Sequence, residues 1–119
     1  MNTKIQFQNP KIEFQIGEDV DLLLQNNTNE TIVFPTDYGI HILHFENEDW
    51  TEIINTLTYL PPGDVYLHPN SSDNPGVLII SLNPDIENNG EEVVLRIVVL
   101  GLTSNGNQVG AFLDVTLLP

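Results

Sequence analysis

Strict two-residue alternation is the feature that most limits what this chain can become. In Lys11-Ile12-Glu13-Phe14-Gln15-Ile16 polar and apolar residues alternate without exception. Only a strand sends successive side chains to opposite sides, so such a segment has one wet face and one buried face. The same period returns in Val20, Leu22 and Leu24, with Asp19, Asp21 and Gln25 opposite. It returns again in Val93, Leu95, Ile97 and Val99, and in Val109, Ala111, Leu113, Val115 and Leu117. No segment sustains a helical period over three turns; only at residues 50–55 does a helical turn compete with strand.

Turn-forming residues separate these segments. The polar tract Asn26-Asn27-Thr28-Asn29-Glu30 predicts a hairpin between residues 20–25 and 31–34, which Pro35 then stops. Residues 39–45 read as a strand that turns at Asn47-Glu48-Asp49. Residues 59–76 are loop-like, punctuated by Pro61, Pro62, Gly63, Pro69, Pro75 and Gly76, with a short edge strand at 65–67. Residues 77–82 are apolar on both faces, as in a central strand. Residues 91–100 and 108–117 form the strongest pair, joined through Asn105-Gly106, a dipeptide suited to positive φ. The expectation is one all-β domain over residues 1–119, with seven to eight antiparallel strands in a sandwich or small barrel.

Charge and composition narrow the function. Seventeen acids face three bases, a formal net charge of −14. Such a surface repels phosphate backbones and anionic membranes, so no nucleic-acid partner is expected. What remains is a well-solvated surface, divalent-cation binding, a basic partner, or a saline habitat. No run of 18 apolar residues is present, so no membrane-spanning helix is expected. The N-terminus lacks the basic stretch and apolar core of a secretion signal, so an exported form would have lost its leader. With no cysteine, the fold must hold by packing and sheet hydrogen bonds.

Catalytic chemistry finds little support. His41 and His44 are three apart on a strand and diverge, and His68 has no carboxylate at ligand spacing. The serines lack a glycine elbow, and the thiol route is closed. No enzyme activity and no required cofactor are expected. Calcium is the one candidate metal, through Asp85, Glu87, Glu91 and Glu92 in an oxygen-rich turn; Arg96 stands where an EF-hand would need its bidentate glutamate. Trp50, Tyr59 and Tyr66 form a candidate ligand-binding set beside the proline-rich loop, able to stack on sugar rings if exposed together; the alternative is that Trp50 plugs the core or a sheet end, since large aromatics are mostly buried.

The segment Asp21-Leu22-Leu23-Leu24-Gln25-Asn26-Asn27-Thr28-Asn29-Glu30-Thr31-Ile32-Val33-Phe34 resembles the second and third strands of bacterial immunoglobulin-like, fibronectin-III-like modules. Leu67-His68-Pro69-Asn70-Ser71-Ser72 is similar to their proline turn, and Leu95-Arg96-Ile97-Val98 to a later strand, though Asn70 and Leu95 replace a glycine and a tyrosine. The resemblance implies an antiparallel immunoglobulin-like β-sandwich. It further implies a non-catalytic interaction or spacer module of a bacterial envelope or secreted protein, with a protein or carbohydrate partner. A weaker likeness, to the intracellular proteinase inhibitors of bacilli, rests on the Asn-rich turn, the strand after it and the aromatic at Trp50. It implies inhibition, for which a rigid loop at 59–63 would serve.

Overall fold

The computed structural model describes residues 4–53, 57, 61–84, 86 and 90–119. Among them are ten strands: β1 (Ile5–Phe7), β2 (Glu13–Gln15), β3 (Val20–Asn26), β4 (Ile32–Phe34), β5 (His41–Glu46), β6 (Asp49–Ile53), β7 (Val65–Leu67), β8 (Val77–Leu82), β9 (Val93–Leu102) and β10 (Gln108–Leu118). One sheet has the order β1-β3-β8. The other runs β2-β10-β9-β4-β7, with β5 on the same edge of β9 as β4 and β6 beyond β5.

The alternating positions close the sandwich. Val20, Leu22 and Leu24 of β3 face Leu95, Ile97 and Val99 of β9 across the interior, all fully buried. β9 and β10 pair over ten residues, and their outward partners include Asp114 opposite Arg96 and Phe112 opposite Val98. Their loop closes through Gly106 N–H to the Thr103 carbonyl at 2.9 Å and Thr103 N–H to the Asn107 carbonyl at 2.8 Å. Gly106 has φ 81°. This is a turn followed by a left-handed glycine, the role that residue type serves in hairpins.

The hairpin expected between residues 20–25 and 31–34 does not form: β3 and β4 lie in different sheets. Fully buried Asn26 makes the corner. Its amide donates to the carbonyls of Glu30 at 2.7 Å and Leu67 at 2.9 Å. Its oxygen accepts from the Thr28 N–H at 2.9 Å and hydroxyl at 2.6 Å. The amide is thereby saturated, and the end of β3 is tied to β7 of the opposite sheet. A polar tract announces a reversal without saying whether its flanking strands pair.

Two further expectations are corrected. β8 is not covered on both faces: Ile79 is 63% exposed on the outer side, and among the described strands β8 pairs with β3, with one further bridge from Leu82 to Leu57. Apolar residues on both faces therefore marked an outer surface patch here, not burial. Nor is every pairing antiparallel, because β2 runs parallel to β10. After β1 the chain leaves the edge of β3 and crosses to the second sheet as β2, and Asn9 fills the gap beside β3. Its oxygen accepts from Leu23 N–H at 2.7 Å while its amide donates to the Asp21 carbonyl at 2.9 Å. Lys11 and Glu18, 2.6 Å apart, brace the far side of this crossing. That lysine, together with the Gln15 N–H, holds the Glu18 carboxyl below the usual carboxylate range.

The strand count exceeds seven or eight because Ile5–Phe7 adds β1 ahead of the alternating segment and Asp49–Ile53 forms β6 where a helical turn competed. Residues 35–40 separate β4 from β5. There Tyr38 and Gly39 adopt φ 58° and 57°. A Cβ on Gly39 would collide with the Leu100 carbonyl oxygen of β9. Glycine is needed for the close approach and for the backbone angle together.

Three substitutions test this packing by urea denaturation. Leu95→Ala should cost about 2–5 kcal/mol, whereas half-buried Leu113→Ala should cost less than half as much. Gly39→Ala should cost at least about 2 kcal/mol from backbone strain and collision. Equal losses at Leu95 and Leu113, or a neutral Gly39→Ala, would contradict the arrangement.

Candidate functional site

A strand in a two-layer sandwich needs only one apolar face. The outer face of β10-β9-β5-β6 is nevertheless apolar over much of its extent. β9 turns Val94, Val98 and Leu100 outward at half-buried positions. Leu43 and Phe45 do the same on β5, Trp50 on β6 and Phe112 on β10. Phe45 is 43% and Phe112 39% exposed.

Arg96 organises the centre of this face. Its register places Asp114 on one side and Leu43 on the other. The guanidinium donates from Nε to Asp114 Oδ1 at 2.8 Å and from Nη2 to Oδ2 at 3.0 Å, a two-point fork. This bonding raises the arginine pKa above its already high ordinary value. The same guanidinium lies 4.6 Å from the Trp50 ring centre and 4.5 Å from that of Phe112. Both distances fit attraction between a cation and the electron-rich ring faces. Phe45 completes the group, 5.0 Å from Trp50 with the planes tilted by 54°. The Asn47-Glu48 turn positions Phe45 and Trp50 opposite each other, with φ 53° and 64° at its two corner residues. That geometry matches the twist of a tight hairpin.

The sequence-predicted residues fall in separate places. Trp50 is half-buried on this face, flanked by Phe45 and Arg96. Tyr66 is exposed on β7, opposite Val33, which pairs with Leu102. His44, beside Phe45, pairs with Leu95. The two aromatics therefore sit at levels more than seven residues apart along β9, about 25 Å. Tyr59 lies outside the described residues, as does most of the 59–63 loop. Of the calcium candidates, Asp85 and Glu87 also lie outside them, while Glu91 and Glu92 are exposed just before β9. Among the described residues no group of three or more His, Asp and Glu could hold a metal.

His41 points outward, 3.2 Å from Glu52. His44 points inward, 3.7 Å from Glu46. His68 meets the Thr31 hydroxyl at 3.1 Å. Two open clefts indent the surface. One, of about 320 Å³, lies at the β1–β2 crossing between Asn9, Phe14 and Ile79. The other, of about 370 Å³, is the notch left where β4 and β5 part, lined by Val33, Gly39, Leu100 and Leu102. The notch continues the apolar outer face.

Sequence reasoning missed Phe45, Arg96 and Phe112. A signal existed. Outward positions of β9, β10 and β5 break the polar half of the alternation at Val94, Val98, Leu100, Phe112 and Leu43, and a break on one shared face marks a surface with a use.

No protein-family model and no curated protein matches the chain. Among solved structures it is similar to murine CRIg, at 15% identity and a TM-score of 0.50, covering 96% of each chain. That likeness concerns the fold, an immunoglobulin-like all-β sandwich. Immunoglobulin domains commonly bury a tryptophan against a disulfide between the sheets. Here the only tryptophan lies on the outer face, and the interior is filled by aliphatic side chains together with Phe14, Phe34 and Tyr38.

Trp50 fluorescence reads the cluster directly. Acrylamide should quench it partially, and Arg96→Ala should raise the quenching constant and shift emission to the red. Asp114→Ala should act in the same direction but less, since it frees the guanidinium without removing it. A fully shielded Trp50, insensitive to both changes, would contradict the stacked arrangement.

Proposed function

We propose that this chain is a non-catalytic interaction module of a bacterial envelope or secreted protein, engaging a protein through the outer face of its larger sheet. The observation that carries this reading is the group Phe45, Trp50, Arg96 and Phe112 on an apolar sheet face that the sandwich does not need for its core. Aromatic residues and arginine are the side chains most enriched where binding energy concentrates. Their geometry favours a protein over a sugar. Arg96 already covers the Trp50 ring, the Phe45 plane is tilted against it, and Tyr66 is remote, so Trp50 and Tyr66 do not form one flat stacking platform.

Site-specific photocrosslinking in the producing cell tests this. A crosslinking residue in place of Phe112 should give a discrete protein adduct, and one in place of Asp73 should not. An unselective pattern at both sites, or no adduct at either, would refute the reading. Trp50-dependent retention on a polysaccharide would replace it with sugar binding.

A further inference from the structure

We infer that the partner of this face presents an apolar centre ringed by lysine and arginine, and is not a second copy of the chain. The inference rests on the interaction reading above and deepens it. The centre of the face is close to neutral, because Arg96 is matched by Asp114. Its surroundings are acidic. Glu48 and Glu52 stand on the β5–β6 side, with Glu46 and Asp49 on the inward side of the same hairpin end, Glu13 lies on β2, and Asp64 borders the notch, all exposed.

Size is compatible with a weak, transient contact. At about 4.8 Å spacing, nine residues each of β9 and β10 with the shorter β5 and β6 give roughly 450 Å² of sheet. Two such surfaces bury about 900 Å², in the range of transient encounters. Burial of the aromatics would supply affinity, and the acidic surround would steer the approach.

A second copy fits poorly. Two bodies of charge −14 would bring acidic rims together. Of the three cations, Arg96 is engaged by Asp114 within the face and Lys11 by Glu18, while Lys4 precedes β1 in the opposite sheet. A copy therefore adds no cation to the rim. A partner with a basic ring turns the same acids from an obstacle into an attraction.

The probe is a synthetic helical peptide of leucine and lysine, with every leucine on one face. Its control is an isomer of identical composition with the leucines scattered. Each is titrated into isotope-labelled protein at 0.15 M salt, with sedimentation of the protein alone in parallel. The segregated peptide should bind at least about tenfold more tightly than the isomer. It should perturb the amides of Phe45, Trp50, Arg96, Val98 and Phe112 first. The pair Phe45→Ser with Phe112→Ser should remove that advantage while leaving the amide spectrum of β3 and β8 unchanged. The set Glu13→Gln, Glu48→Gln, Glu52→Gln and Asp64→Asn should slow association and flatten its salt dependence while keeping the preference for segregated leucine.

Equal binding of the two isomers would mean diffuse charge attraction and would overturn the inference, as would no binding of either. A Phe112-dependent homodimer in sedimentation would also overturn it while leaving the interaction reading intact. The interaction reading falls separately, by the Phe112 crosslinking result.

Discussion

The fold depends on β9 more than on any other element, because all four sides of that strand are engaged. One edge pairs with β10 over ten residues; the other is shared by β5 and, at its end, β4. The inward face supplies Leu95, Ile97 and Val99 to the core, opposite β3. The outward face carries Arg96, which gathers the aromatics of β6 and β10. Core and candidate site are thus two faces of one ten-residue strand, held to a fixed relation by its 2-residue period. A one-residue slip would bury Arg96 and expose Leu95, so burial of the core also fixes the register of the site.

The interior is held without a covalent link. Immunoglobulin domains gain about 2–5 kcal/mol from such a bridge, and this chain must find the equivalent elsewhere. Asn26 shows one device. Its four hydrogen bonds attach the end of β3 to the turn that follows it and to β7 of the opposite sheet. Left without those partners, so deeply buried an amide would cost about 1–3 kcal/mol, which makes the corner specific rather than merely tolerated. Asn9 performs the same task at the other crossing, standing in for a missing stretch of strand beside β3. Both crossings use asparagine because its short amide copies a peptide group.

Legibility in the sequence followed the range of the interactions. The β9/β10 pair could be read because alternation and a glycine-containing turn are local signals, and local signals agreed with the global fold there. The corner at Asn26 could not, because the bond that decides it reaches Leu67, 41 residues away. β8 looked covered on both faces because composition reports hydrophobicity and not which side is covered; Ile79 and Ile80 are neighbours in sequence yet opposite in environment. The candidate site was half visible. Trp50 could be singled out as an aromatic, but the grouping with Phe45, Arg96 and Phe112 needs three strand registers to be known at once. Tyr66 was placed beside Trp50 by sequence distance, whereas β7 joins the sheet through β4 at the far end of β9.

The unusual charge and the unusual apolar face are best understood together. Exposed Phe45 and Phe112 beside a half-buried Trp50 on a sheet face would ordinarily invite self-association. Acids that surround such a group add repulsion between copies, and salt reduces this only over distances beyond about 8–10 Å. Two copies face to face would bring their rims within that distance, where screening is least effective. The neutral centre is equally necessary: an unpaired Arg96 or Asp114 beneath a partner would carry a desolvation cost, and their fork removes it before any partner arrives. Held by Asp114 and two rings, the arginine has also lost much of its side-chain freedom already, so docking over it costs less entropy. Acidic surround, neutral centre and fixed arginine therefore answer the one requirement that the proposed basic partner sets: an apolar face kept available on a molecule that repels itself.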